Sequence, residues 1–114
     1  MNEIDDILLK QKEFAKHFIN QFSSLGLKRE DTIKFCLSII KESTELLDEV
    51  DYKNIYWNTD KKDVFKYKIE EEIIDLFIFV LDLFILWNID GDRVIELFEK
   101  KLEKNKLKYI KNIS

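Results

Sequence analysis

The stretch Lys68-Ile69-Glu70-Glu71-Glu72-Ile73-Ile74-Asp75-Leu76-Phe77-Ile78-Phe79-Val80-Leu81-Asp82-Leu83-Phe84-Ile85-Leu86-Trp87 decides the fold. It holds neither Gly nor Pro, so nothing in it interrupts a helix. After its three consecutive Glu, only Asp75 and Asp82 break an apolar run. A helix this apolar must be buried on most sides. Glu72 and Asp75, three apart, share one of its faces, and Asp82 follows two turns after Asp75 on roughly the same face. Carboxylates on a buried helix are costly unless something neutralises them.

The rest of the chain is built for the same architecture. Its 114 residues suffice for one domain, 1–114, with a single core. A hydrophobic fraction of 46% beside 37% charged residues suits amphipathic helices and argues against disorder. There is no Pro, and Gly26 and Gly91 are the only glycines. A formal net charge of -4 argues against coating nucleic acid. Cys36 has no second cysteine to pair with, and reads as a small core residue. The acidic start, Met1-Asn2-Glu3-Ile4-Asp5-Asp6, is unlike a signal peptide. The run from Leu76 to Trp87 falls short of the ~20 residues a bilayer needs. The expectation is a cytoplasmic protein without a membrane partner.

Four helices are expected. The first covers residues 3–24, from the spacing of Ile4, Ile7, Leu8, Phe14, Phe18 and Phe22, and ends at Gly26 after Ser23 and Ser24. His17, near its apolar face, reads as structural or partly exposed rather than as a metal ligand. The second runs over residues 29–51 on Ile33, Phe35, Leu37, Ile39, Ile40, Leu46, Leu47 and Val50. On it Glu42, Glu45 and Glu49 form one acidic stripe. The connection 52–62 carries Tyr52, Tyr56 and Trp57, which either cover a core edge or wall a pocket for a flat ligand. The third helix is the opening stretch, extended to residue 63. The fourth, residues 92–111, is N-capped by Asp90 and strongly basic on its polar side.

If the second and third helices pack antiparallel, Glu42, Glu45 and Glu49 face Glu72 and Asp75. Carboxylates so gathered repel, and without a cation some must protonate. An all-oxygen, anionic cluster suits a hard divalent ion, Mg²⁺ or Mn²⁺. Spacing alone leaves open an ordinary charged helix surface.

These residues resemble a family. Glu42-x-x-Glu45, then Glu49, an aromatic connection, and Glu71-Glu72-Ile73-Ile74-Asp75 look like the all-α nucleoside triphosphate pyrophosphohydrolases, which include the MazG-type enzymes and the dimeric dUTPases. The resemblance spans about residues 33–108. Glu45-Leu46-Leu47-Asp48-Glu49 with Tyr52, Lys53 and Trp57 is most similar to the dUTPase branch. It implies that Glu42, Glu45, Glu72 and Asp75 hold Mg²⁺, with Glu49 as a further ligand or a support. It implies attack of water on the α-phosphorus of a nucleoside triphosphate, with Glu45 as general base and pyrophosphate leaving. By the same resemblance Lys53, Lys101, Asn105 and Lys108 meet the phosphates. Trp57, Tyr52, Phe79 and Asp82 meet the base or sugar.

The third helix is too apolar for a thin bundle of four helices to bury on every side, so a symmetric homodimer, or a tetramer, is expected to complete the core. The expectation is therefore an all-α, four-helix, MazG-like bundle completed by dimerisation, acting on dUTP or a related deoxynucleotide. Its rivals are broad MazG-like specificity and a non-catalytic helical interaction module.

Overall fold

A computed structural model describes residues 1–17, 25–50 and 62–110, excepting the side chains of 25–27 and 62–65. The described residues form four helices and no strand: α1 (Glu3–Ala15), α2 (Leu25–Val50), α3 (Lys62–Leu86) and α4 (Gly91–Tyr109). The opening stretch is the greater part of α3. Among the described residues no helix is long and apolar enough to cross a membrane.

The helix ends follow local chemistry. Asn2 caps α1 with a reciprocal pair of bonds: its Oδ1 accepts from Asp5 N at 2.9 Å, and its own N–H donates to Asp5 Oδ2 at 3.1 Å. At the end of α3, Ile89 N donates to Phe84 O at 2.8 Å and Asn88 N to Ile85 O at 3.2 Å. Asn88, at φ 55°, takes the left-handed position usually given to Gly. Asp90 then caps α4 through Arg93 N at 2.9 Å, as the sequence led us to expect.

Two helix boundaries differ from expectation. The first helix ends at Ala15, not near residue 24. Its last turn tightens, His17 N donating to Phe14 O at 3.2 Å, just after Ala15 is buried among Leu86 and Phe35. Gly26 does not separate the helices: it is the second residue of α2. In a first turn the backbone N–H groups have no intrahelical partner, so glycine's usual helix cost is small there. Phe18, Phe22, Ser23 and Ser24 lie outside the described residues.

Helices α2 and α3 pack antiparallel, as their contacts show in sequence order. Trp87 Nε1 donates to Thr32 Oγ1 at 2.9 Å, and the Phe35 and Phe79 rings lie 6.4 Å apart. Farther along, Glu42 and Glu45 meet Glu72. Helix α1 crosses the C-terminal half of α3, burying Leu8 with Leu81 and Ile85, with Ile4 and Phe84 alongside. Among the described residues helix α4 packs on α1 and on neither α2 nor α3. Its N-terminus is held by Asp5, whose Oδ1 accepts from Gly91 N at 2.7 Å. Bonds from the Asn2 and Gly91 backbones hold the Asp5 carboxyl below its usual range.

A Cβ on Gly91 would come within 2.7 Å of Asp5 Oδ1 and closer still to Asn2 Oδ1. Gly91→Ala should therefore break the capping pair at the cost of about 1 kcal/mol, read as a melting temperature lower by about 4 °C. An unchanged melting temperature would show that the α1–α4 corner yields freely.

Candidate metal centre

Helical spacing places Glu42 and Glu45 on one face of α2, and antiparallel pairing sets Glu72 of α3 against them. One carboxylate oxygen from each of the three lies within 4.8 Å of the others. All three residues are half-buried. The Oε2 atoms of Glu42 and Glu72 are shut off from solvent and have no hydrogen-bond partner. A buried acceptor left unsatisfied costs about 1–3 kcal/mol, more when charged. No Lys or Arg among the described residues makes an ion pair with Glu42, Glu45, Glu72 or Asp75.

Electrostatics register the crowding. Burial pushes the Glu42 carboxyl up to about 7, helped by the Glu45 carboxylate, by Glu72 and by the charge on Asp75. Near neutral pH, Glu42 thus keeps a proton for much of the time. Its folded value lies above the 4.5 of a free Glu, so the folded state binds the extra proton between those two values. Stability then falls as pH rises from 4.5 through about 7. In EDTA, wild type should lose stability relative to Glu42→Gln across this window. Parallel pH profiles would show that the crowding is absent in solution.

The structure brings together Glu42, Glu45 and Glu72, with Asp75 one turn along α3 from Glu72. Asp75 also lines a shallow groove with Tyr67, Glu70, Glu71 and Ile74. Glu49 is half-buried one turn beyond Glu45 and outside the three-oxygen group. Asp82 is buried at the α1 contact, where its Oδ1 accepts from Gln11 Nε2 at 2.9 Å. Burial raises its carboxyl above the usual range, and the Gln11 bond opposes the shift. Phe79 packs half-buried against Phe35. Lys101, Asn105 and Lys108 are exposed on α4, away from the carboxylates of the same chain. Tyr52, Lys53 and Trp57 lie outside the described residues.

Sequence reasoning overlooked Gln11 as the partner of Asp82. The signal was present: Gln11 falls between Leu8 and Ala15 at helical spacing, a polar residue within an apolar stripe.

The donor set suits a hard divalent cation. It is all carboxylate oxygen, drawn from two helices, with two occluded atoms that lack any partner. No protein-family model, no curated protein and no solved structure matches this chain.

Proposed function

We propose that this chain is a Mg²⁺-dependent nucleoside triphosphate pyrophosphohydrolase of the all-α, MazG-like kind, acting on dUTP or a related deoxynucleotide. The observation that carries the reading is the half-buried Glu42–Glu45–Glu72 group with two unpartnered, occluded oxygens. Glu42, Glu45, Glu72 and Asp75 would hold Mg²⁺, or Mn²⁺, with Glu49 as a further ligand or support. When bound, such an ion supplies Lewis-acid polarisation of phosphoryl oxygens and lowers the pKa of water.

The chain's own residues do the rest. Glu45 accepts a proton from the attacking water as its oxygen bonds to the α-phosphorus. The bond from that phosphorus to the bridging oxygen breaks, and pyrophosphate leaves with the electron pair. Lys53, Lys101, Asn105 and Lys108 bind the triphosphate, Lys108 as a point charge without the two-pronged geometry of Arg. Trp57, Tyr52 and Phe79 contact the base or sugar, whereas Asp82, buried against Gln11 at the α1 contact, is left out of the site. Because α4 packs on neither α2 nor α3 among the described residues, its Lys101, Asn105 and Lys108 would reach the triphosphate from a second copy of the chain. The working form would then be a homodimer or tetramer, in the cytoplasm and without nucleic acid.

Incubation with a panel of canonical and damaged nucleoside triphosphates plus Mg²⁺ tests the reading. Monophosphate and pyrophosphate should appear, and both should vanish with EDTA and in Glu45→Gln. A single dominant substrate would support the dUTPase-like form, and even turnover the broad MazG-like one. If the folded protein turns over nothing, a non-catalytic helical interaction module takes its place.

A further inference from the structure

Helix α2 has two apolar faces, and the described residues cover only one. Phe35, Ile39, Glu42 and Leu46 lie on the side turned to α3, all half-buried. On the opposite side Ile33, Leu37, Ile40 and Leu47 are 59, 59, 62 and 63% exposed. Thr44 falls between the last two, so the stripe steps by four and three residues like the seam of a coiled coil. The Thr44 hydroxyl donates to Ile40 O at 3.1 Å, so covering it strands no donor. Among the described residues no helix covers this outer face: α2 packs on α3, and Phe35 on its inner side reaches the Ala15–Leu86 cluster.

We propose that this outer face of α2 docks on the same face of a second copy, the two helices running antiparallel across a two-fold axis. The proposal deepens the dimer named above but is independent of the chemistry assigned to the carboxylates. Self-complementarity is the first argument. With the axis near residue 42, Leu37 meets Leu47 of the second copy and Ile40 meets Thr44 of the second copy, each twice. Charge is the second. Lys34, Lys41 and Asp48 lie along one flank of the stripe. The same axis sets Lys34 over Asp48 of the second copy, again twice, while Cys36, exposed rather than the core residue expected, and Ser43 keep the other flank small. The single like pair, Lys41 against its own copy at the axis, is exposed and free to splay into solvent.

Light scattering on the eluting full-length protein tests the proposal. Wild type should elute as a dimer or tetramer, and Leu37→Glu/Ile40→Glu should halve its mass with helicity unchanged. A monomeric wild type, or a folded double variant of unaltered mass, overturns it. So does halving of the mass by Phe98→Glu/Leu102→Glu on α4 while the α2 variant is unaffected. If the α2 double variant unfolds, the charges decide. Lys34→Glu and Asp48→Lys should each raise the dissociation constant about tenfold, and their combination should restore it. Single reversals without effect overturn the docking, as does a combination no better than either. Nucleotide turnover, measured separately, distinguishes this outcome from failure of the proposed chemistry.

Discussion

Replacing Glu72 by Gln should remove the stabilisation of this protein by Mg²⁺ and lower nucleotide turnover about 100-fold or more. Glu72 brings to the α2 carboxylates an oxygen that is occluded and unpartnered. A cation bound only by the folded state adds about 1.4 kcal/mol of stability when its concentration is ten times its dissociation constant. Wild type should therefore melt several degrees higher in low-millimolar Mg²⁺. Glu72→Gln should lose that increment, and Asp75→Asn most of it. In EDTA the effect of Glu72→Gln reverses. One repelling carboxylate fewer relieves Glu42, so the variant should melt above wild type. If wild type and both variants respond to Mg²⁺ alike, the carboxylates are not its site.

Leu86→Ala should be the most destabilising of the single core truncations. Leu86 is fully buried, with Ala15 and Phe35 packed against it where α1, α2 and α3 converge. Emptying such a position costs about 2–5 kcal/mol, a large part of the 5–15 kcal/mol typical of a whole domain. Urea unfolding should show a markedly lower midpoint with a similar slope. Leu107, 66% exposed on α4, offers the comparison. Its truncation to Ala should change the monomer's stability by no more than about 0.5 kcal/mol. A loss below that size for Leu86→Ala would contradict this core.

Much of this arrangement was legible because helical periodicity is a local property. The run from Lys68 to Trp87, free of Gly and Pro, could form little but a long helix, and Asp90 at the head of the next marked its start. Antiparallel neighbours then bring Glu42 and Glu45 to Glu72 with no further information. What escaped depends on position rather than pattern. Gly26 reads as a breaker, yet its cost fades in a first turn, so α2 begins before it. The basic face of α4 could be read from Lys101, Lys104 and Lys108, but not the direction in which α1 would hold that helix. Asp82 shares the face of Asp75 on the helical wheel. A third helix, through Gln11, decides what it meets.

The central claim is that the carboxylates of α2 and α3 serve hydrolysis at the α-phosphorus of a nucleoside triphosphate. Turnover of dUTP with Mg²⁺ in ¹⁸O-labelled water, followed by mass analysis of both products, tests it most directly. The account predicts one labelled oxygen in the nucleoside monophosphate and none in pyrophosphate. Label in pyrophosphate or in released orthophosphate, or no turnover of any triphosphate by the folded protein, would contradict it.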